Sequence, residues 1–386
     1  MWVGRDGTAM PRIKAPPMPR RRPVNPLRLK KLLLRMIDIY SPSGKEEALL
    51  QYLKGYLKRR GLEVQTQPVD DNRYNLILAP GNGDIELALV GHLDTVTAYD
   101  LEHYAAVEKG DDILGLGAAD MKGGCAAMIE AYMTFAGQGA NPPAVALCLV
   151  VGEEETGDGS ARLMKDYRFP RAIIGEPTGL LPCFKIYGYI ETMIRAHGKR
   201  LHASMAGRRE NAVETLLGRL IKVTHFFEHT HPELIYNIRD LYTPSAGFAV
   251  PEYSEAWIDI HLPPGAVPGE IITELEDIVT LRSKSNNGIE VVFRTETIDA
   301  GYELPEKGPA SDCLMAAFSH YNLPWKTDAF RSHSDANQMF ASGARPILLG
   351  PGHLEKAHTQ DESVSFREVQ TAAEIYLDFM KRFFAE

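Results

Sequence analysis

Apolar runs alternate with helical patterns along the first half of the chain, and this alternation limits its fold more than any other feature. The runs IELALVGH and PAVALCLVVG are apolar almost throughout, as strands buried on both faces are. Between them lies KGGCAAMIEAYMTFAGQG, a helical pattern that is entered through two glycines. Because predicted strands and helices alternate along the chain, the sequence predicts an α/β domain with a mostly parallel central sheet.

A second pattern begins near Lys185 and interrupts the first. It predicts a strand, a helix, two strands, a helix and a strand, which is the βαββαβ order of the ferredoxin-like fold. The first of the two middle strands is predicted at YTPSAGFAV, residues 242–250. A chain of 386 residues usually needs more than one core. We therefore predict a discontinuous α/β domain (27–184 and 299–386) with a ferredoxin-like domain (185–298) inserted into it.

The composition of the chain excludes several classes of partner. Apolar residues make up 44% and charged residues 24%, which is ordinary for a globular protein. The net charge of −9 argues against nucleic acid as a partner, and no apolar run is long enough to span a membrane. The four cysteines show no CxxC spacing, so we predict buried thiols rather than disulfides and a cytoplasmic location.

The beginning of the chain differs from the rest. It is basic and proline-rich, but it lacks the apolar centre of a signal peptide. We predict a disordered basic tail over residues 1–26. Two alternatives stay open, because translation could begin at Met10 or Met18, and the tail could be a targeting segment.

Side chains of types that can bind metal ions lie at five places in the α/β part, each at the end of a predicted strand or at the beginning of a predicted helix. They are His92 with Asp94 in GHLDTV, Asp120 in AADMKGG, Glu153 to Glu155 in VVGEEETGDG, Glu176 in IIGEPTG, and His358 in EKAHTQDES. Any one of them alone is more often structural, and a run of glutamates is usually a solvated face. Clustered negative charge directly after a buried strand is nevertheless costly unless cations compensate it. Imidazole and carboxylate ligands without thiolates suit zinc, with cobalt or manganese as substitutes.

The same motifs resemble those of a family of two-zinc hydrolases, and they occur in the same order. The segments that carry the resemblance are GHLDTV, GAADMKGG, GEEETG, GEPT and GPGHLEKAHTQDESV. The family includes acetylornithine deacetylase, succinyl-diaminopimelate desuccinylase, aminoacylase-1 and the glutamate carboxypeptidases. The resemblance extends from about Ser41 to the C-terminus. It implies a catalytic α/β domain whose inserted domain forms a dimer and closes over the site.

The resemblance also implies a metal site with two zinc ions per chain. In the family pattern, His92 and Glu176 hold one zinc, Glu154 and His358 hold the other, and Asp120 bridges both. The peptide bond after the bridging aspartate is cis in this family, so we expect the same bond after Asp120. A water activated between the two ions would attack the amide.

Further residues take catalytic roles in the family pattern. Asp94 would orient the histidine ligand beside it. Glu153 would act as general base, because the family has two adjacent glutamates here, the base first and the ligand second. This chain has three, so a second register, with Glu154 as base and Glu155 as ligand, stays open. We favour the first register, in which the glutamates are counted from the end of the preceding strand. A strand fixes the direction of the residues that follow it more firmly than a loop of variable length does.

Two further positions are candidates to contact the reacting molecule, one at the oxyanion that forms at the attacked carbonyl and one at the carboxylate of the substrate. The segment GKRLHASMAGRRENAVETL resembles the family segment that donates a histidine from a neighbouring subunit, which implies a homodimer and a catalytic role for His202. The alternative is a solvated histidine at a strand end. The chain also has His261 where arginine is common in the family. Arg331, in FRSHSDANQMF, is therefore a candidate to bind the substrate carboxylate, with an ordinary surface salt bridge as the alternative.

Together these features predict an amidohydrolase that removes the acyl group from an N-acyl-L-amino acid, of the deacetylase or desuccinylase type and most similar to acetylornithine deacetylases. One alternative is a dipeptidase or carboxypeptidase that acts on short peptides. A remoter alternative is a metal-free binding or scaffold protein with the same fold. The sequence leaves the acyl group and the amino-acid side chain open.

Overall fold

The computed structural model describes residues 24–80, 84–137, 144–206, 211–280 and 288–385. Most of the predicted tail lies outside the described residues, and the first helix begins at Pro26 after an Asn25 cap. The helices are α1 (Pro26–Asp38), α2 (Glu47–Lys58), α3 (Gly123–Ala136), α4 (Asp158–Asp166), α5 (Ala212–His229), α6 (Pro268–Thr280), α7 (Pro309–His320), α8 (Asp335–Ala341) and α9 (Phe366–Phe383). Among these helices, none combines the length and the apolar character that crossing a bilayer requires.

The strands are β1 (Gln65–Pro68), β2 (Tyr74–Leu78), β3 (Leu87–His92), β4 (Val107–Lys109), β5 (Asp112–Leu114), β6 (Val145–Val150), β7 (Arg171–Ile174), β8 (Cys183–Ile186), β9 (Gly188–His197), β10 (Leu201–His202), β11 (Ile235–Tyr242), β12 (Ala249–Val250), β13 (Tyr253–Leu262), β14 (Glu290–Asp299), β15 (Tyr302–Glu303), β16 (Asp328–Phe330), β17 (Arg345–Leu348) and β18 (Ser363–Ser365). Three short helical segments, Ala118–Lys122, Ala203–Met205 and Leu354–Lys356, lie between them.

The largest sheet has the strand order β1-β2-β6-β3-β7-β17-β8-β15, with β16 paired to β8. Its central strands β6, β3, β7 and β17 are parallel, whereas the pairs at its two sides are largely antiparallel. Every residue of β3 and of β6 is buried, as their continuous apolar sequence requires. The predicted α/β fold with a parallel-rich central sheet is confirmed.

Helix α3 packs unusually close to this sheet. A Cβ atom on Gly124 would lie 2.0 Å from the carbonyl oxygen of Gly175, so only glycine allows this approach. The contact brings the start of α3 against the segment that leads from β7 to Glu176. On its other side α3 packs against α1 and α9. Cys125 and Cys148 are buried free thiols in this core, in line with the prediction that the cysteines form no disulfide.

The inserted ferredoxin-like unit has its own antiparallel sheet, with the order β11-β13-β9-β14. Helices α5 and α6 pack against each other and against this sheet. A separate hydrophobic core fills the space between them; its buried members include Ile190, Ile194, Leu216, Val223, Ile258, Ile260, Ile271 and Leu275. The chain order β9-α5-β11-β13-α6-β14 is the predicted βαββαβ order.

One strand of this unit was predicted in the wrong place. The structure has β11 at Ile235–Tyr242, so the predicted 242–250 strand overlaps it only at Tyr242. Later in that range, Ala249 and Val250 form a short pair with β10. The physical reason is that β11 is an edge strand with most of its side chains exposed. Its register also shifts between Ile238 and Asp240, which breaks the alternation that identifies a strand in the sequence.

The chain crosses between the two units at 187–188 and at 300–301. The sequence FKIYGYIETMIRAHG therefore forms two strands, β8 in the large sheet and β9 in the inserted one, instead of a single strand. The two crossings run side by side, because a Cβ atom on Gly188 would lie 2.4 Å from the Asp299 carbonyl oxygen. The domain boundaries at 184/185 and 298/299 stay predictions.

The side chain of Asn337 joins the two crossings. It is buried in α8, and its Nδ2 donates to the carbonyl oxygens of Tyr187 and Ala300, at 2.9 Å each. Its Oδ1 accepts the N–H of Ser334 and so completes a capping box at the start of α8. One amide therefore satisfies backbone groups of both crossings.

We expect Asn337→Ala to lower the free energy of unfolding by about 1–3 kcal/mol, because two partly buried hydrogen bonds, to the carbonyl oxygens of Tyr187 and Ala300, are lost. Urea unfolding followed by circular dichroism measures this change. The control is Asn72→Ala, at an exposed position, which should leave the unfolding midpoint unchanged. An Asn337→Ala protein as stable as the control would show that the two crossings do not depend on this side chain.

Candidate metal centre

Three neighbouring parallel strands end at the same edge of the large sheet and carry candidate ligands there. Strand β3 ends at His92, Glu153 lies three residues beyond the end of β6, and Glu176 lies two residues beyond the end of β7. Because β6, β3 and β7 are adjacent and parallel, their carboxyl ends meet, which is where open α/β sheets bind ligands.

His92 is at the centre of this edge and is 1% exposed. Its Nε2 lies 3.2 Å from Oδ1 of Asp120 and 3.8 Å from Oε2 of Glu153. Its Nδ1 lies 3.1 Å from the backbone oxygen of Asp94 and 3.7 Å from the carboxylate of the same residue. The backbone of Asp94 is thus the nearer partner of the imidazole, and a hydrogen bond there would leave Nε2 free as a ligand atom.

The carboxylate of Asp94 instead holds the loop that follows β6. Its Oδ1 accepts the N–H of Glu153 at 3.2 Å, and its Oδ2 accepts the N–H of Glu154 at 3.0 Å. The hydroxyl of Ser43 also donates to Oδ2, at 2.6 Å. The aspartate of the GHLDTV motif therefore fixes the backbone from which both glutamate side chains project.

Asp120 and His358 reach the same place from outside the sheet. Asp120 lies in the irregular segment Ala118–Lys122, and the peptide bond that follows it is cis, as predicted. His358 Nε2 lies 2.9 Å from Oε2 of Glu154 and 3.7 Å from Oδ2 of Asp120. The two oxygens of Asp120 therefore face different histidines, His92 on one side and His358 on the other.

The three adjacent glutamates have different surroundings. Glu153 points to His92, Glu154 points to His358, and Glu155 is exposed and forms no ion pair within the described residues. His92, Asp120 and Glu154 each offer a ligand atom, and these atoms lie within 4.8 Å of one another. This geometry supports the register in which Glu154 is the ligand.

Several acidic atoms of the site have no hydrogen-bond partner in the protein. Oε1 of Glu154 and Oε1 of Glu176 are buried without one among the described residues, although Glu176 is only 2% exposed. Buried carboxylate oxygens need a hydrogen-bond donor or a cation. Together with two imidazoles and no thiol, these oxygens form a donor set that fits divalent metal ions.

Burial and mutual repulsion determine the charges in the site. Burial raises the pKa of Glu153 and of Glu176 well above the usual range. Burial alone would lower the pKa of His92, but the carboxylates around it, Glu153 first, outweigh burial and raise it. The hydrogen bond to Glu154 raises the pKa of His358 to about 9. The carboxylates outnumber the imidazoles that could neutralise them, which favours binding of cations.

The site opens into a cavity of about 700 Å³ between the large sheet and the inserted unit. Asp120, Glu153, Glu154, Glu176 and His358 line one side of it. The opposite side is lined by residues of the inserted unit and of the loop after β16: Tyr189, Glu191, Arg239, Asp259, His261, Arg331 and His333. The predicted carboxylate-binding residue and the predicted ligands therefore face one space.

Most residues of this opposite wall could not be identified from the sequence. The ring of His333 stacks on Tyr189 with centroids 4.1 Å apart, and the Tyr189 hydroxyl donates to Asp259 at 2.8 Å. Arg239 binds Asp259 at 3.0 Å and Glu191 at 2.8 Å. Burial lowers the pKa of His333 to about 4, so this imidazole is neutral near pH 7. His261 and Arg331 did carry a signal in the sequence, the first as a departure from the family pattern and the second as the candidate to bind the substrate carboxylate.

His202 does not join the other predicted residues in its own chain. It is exposed in β10, its Nδ1 lies 2.9 Å from the Ser204 hydroxyl, and it is not among the residues that line the cavity. Its predicted role at the site of a neighbouring subunit stays a prediction.

Comparison with known proteins agrees with this arrangement. Residues 88–382 match the model of Peptidase family M20/M25/M40. An acetylornithine deacetylase of Klebsiella pneumoniae (strain 342) is 28% identical over 356 residues, which cover 87% of this chain and 91% of that protein.

Solved structures share the fold. A tripeptidase from Staphylococcus aureus subsp. aureus Mu50 superposes with a TM-score of 0.80 at 20% identity, covering 94% of this chain and all of the other. A dinuclear metal-binding peptidase from Bacillus subtilis superposes with a TM-score of 0.66 at 10% identity, covering 92% of this chain and 97% of the other. Since the family match covers most of the chain and the candidate ligands converge at one buried edge, this protein belongs to Peptidase family M20/M25/M40 and is a metal-dependent hydrolase of amide or peptide bonds.

Proposed function

We propose that this hydrolase is a two-zinc enzyme that cleaves N-acyl-L-amino acids, of the deacetylase or desuccinylase type. The observation that carries the proposal is the cluster of imidazoles and carboxylates at a cavity of about 700 Å³ that Arg331 also lines. The similarity to an acetylornithine deacetylase over most of both chains supports this substrate class.

A dipeptidase or carboxypeptidase is the second candidate function. The cavity of about 700 Å³ lies within the range of ligand pockets that hold molecules larger than an acetylated amino acid, so a dipeptide would also fit. The third interpretation, a metal-free scaffold, is wrong, because the protein belongs to a family of metal-dependent hydrolases.

The chain's own residues would hold two metal ions per chain. His92 and Glu176 would bind one zinc, Glu154 and His358 the other, and Asp120 both; cobalt or manganese could replace zinc. When bound, such ions act as Lewis acids on the scissile carbonyl and lower the pKa of water. The unpartnered oxygens of Glu154 and Glu176 support this assignment.

Glu153 would transfer the proton. Its carboxylate lines the cavity beside His92 without pairing to His358, so it is free to take a proton from the attacking water and return it to the leaving amine. Asp94 supports this role, because it fixes the Glu153 backbone N–H and hence the position of the side chain.

Arg331 would bind the carboxylate of the substrate. It lines the cavity, and within the described residues it forms no ion pair that would occupy its guanidinium group. A guanidinium binds a carboxylate through two parallel hydrogen bonds, which orients the substrate as well as holding it. Arg331 and the acidic metal ligands therefore line the same cavity.

The active form would be a homodimer in which His202 of each chain completes the site of its partner. In its own chain His202 is exposed and is not among the residues that line the cavity, yet it lies in a segment that resembles the family's donor segment. There the imidazole would donate a hydrogen bond to the oxyanion that forms at the attacked carbonyl.

We expect purified protein to contain about two zinc-like ions per chain and to lose activity on dialysis against a chelator, because all proposed ligands are N or O donors of a divalent site. Elemental analysis gives the metal content, and a panel of N-acyl amino acids and dipeptides gives kcat/KM with and without added zinc. Hydrolysis by metal-free protein at the full rate would contradict the mechanism. A higher kcat/KM for dipeptides than for every N-acyl amino acid would select the second candidate function.

The three adjacent glutamates should respond differently to substitution. Glu153→Gln should lower kcat by about 10²–10⁴ with metal content unchanged, since it removes a general base. Glu154→Gln should also lower metal content, because it changes a ligand. Glu155→Gln is the matched control and should change neither quantity. Loss of metal from the Glu155 variant with full retention in the Glu154 variant would show that the second register is correct.

Mixing two inactive variants tests the shared site. Glu153→Ala and His202→Ala should each be nearly inactive as homodimers. After subunit exchange, the chain that keeps Glu153 receives an intact His202 from its partner, so a mixed dimer has one complete site, and activity should return. A mixture that stays inactive, although size-exclusion chromatography shows that dimers have exchanged, would exclude a role of His202 across the interface.

A further inference from the structure

A second buried carboxylate, that of Glu362, holds the backbone that carries Asp120. Glu362 is 3% exposed. Its Oε1 accepts the N–H groups of Ala119 and Asp120, both at 3.0 Å, and its Oε2 accepts the N–H of Gly117 at 2.9 Å. Three amide groups of one segment thus converge on one side chain from a residue more than two hundred positions later in the chain.

These amides converge because the segment is not regular. Gly117 has a left-handed φ of 76°, and both Asp120 (φ −117°, ψ 99°) and Met121 (φ −127°, ψ 38°) depart from helical angles. Helical or strand hydrogen bonds therefore cannot satisfy these N–H groups, and a buried amide without an acceptor is costly. Successive N–H groups in such a turn form a concave site for an anion, and here the anion is the Glu362 carboxylate.

Glu362 also belongs to the loop that supplies His358. Its backbone N–H donates to the carbonyl oxygen of Thr359 at 3.3 Å, which closes a tight turn between His358 and Glu362. Its own carbonyl oxygen accepts the N–H of Gly115 at 3.0 Å, and the next residues form β18, which pairs with β5. The loop of one proposed ligand is thus fixed to the segment of another through a single residue.

We propose that Glu362 is a positioning residue for the metal centre: it fixes the Asp120 segment relative to the His358 loop and thereby sets the affinity for the two ions. This proposal rests on the proposed two-metal function. Glu362 touches neither substrate nor, in this arrangement, metal, and it acts through the backbone of Asp120. A residue that merely stabilised the fold would change the unfolding temperature without changing how the metal ligands are arranged.

The test is Glu362→Gln, which keeps the length of the side chain but replaces one acceptor oxygen with an NH₂ group that cannot accept an N–H. We expect metal affinity to fall about 10–100-fold, the usual effect of losing a group that orients ligands. Competition with a chromogenic chelator measures zinc affinity. The visible absorption spectrum of the cobalt-loaded protein should change, because it reports ligand geometry directly.

The matched control is Glu368→Gln. Glu368 also accepts a backbone N–H through its carboxylate, that of Gly352 at 2.9 Å, whereas the N–H groups of Gly117, Ala119 and Asp120 go to Glu362. It should bind zinc and cobalt as the unmodified protein does. If Glu362→Gln and Glu368→Gln bind two ions with equal affinity and give equal cobalt spectra, the proposal is wrong.

Two further outcomes are also decisive. If Glu362→Gln does not fold, Glu362→Asp, which keeps the charge, is measured against the same criteria. Failure of both variants to fold without metal, when the unmodified metal-free protein folds, would make Glu362 a stability element and overturn the proposal. An unmodified protein that binds no metal would instead overturn the proposed function, so the two failures are distinguishable.

Discussion

Burial of several carboxylates at the carboxyl edge of a parallel sheet is the constraint on which the rest of this structure depends. Asp120, Glu153, Glu154 and Glu176 share a space in which, among the described residues, His92 and His358 are the imidazoles that pair with them. Such a cluster is unfavourable unless cations compensate it. The cluster forms because parallel strands end at one edge of the sheet. Ligands for two ions can therefore come together there from separate parts of the chain.

The cavity follows from the way in which the second unit is inserted. Both crossings run side by side at Gly188 and Gly301, and Asn337 binds the carbonyl groups of both. The inserted sheet is thereby held with β9 and β13 toward the metal ligands, and the stack of His333 on Tyr189 forms the far wall. Substrate selectivity would depend on this wall, since the metal ligands themselves contact only the reacting group.

The parts of the site that could be predicted from the sequence are those whose residues lie next to a recognisable strand. His92 and Glu176 could be found because each directly follows an apolar run, and the parallel sheet then brings them together. Strand β11 could not be found, because its exposed side chains and its irregular register remove the period of two. The Tyr189–His333 stack joins residues of two units that are far apart in the chain, and no local pattern in a single sequence reports such a contact.

The ligands are positioned by carboxylates that do not themselves face the cavity. Asp94 accepts the N–H groups of Glu153 and Glu154, and Glu362 accepts those of Ala119 and Asp120. Each of these anions organises an irregular loop that sheet or helix hydrogen bonds cannot fix. Each also adds negative charge close to the ligands. The carboxylates that fix the geometry of the site therefore also add to the negative charge that cations must compensate. Metal affinity and the order of the loops thus depend on the same buried acids.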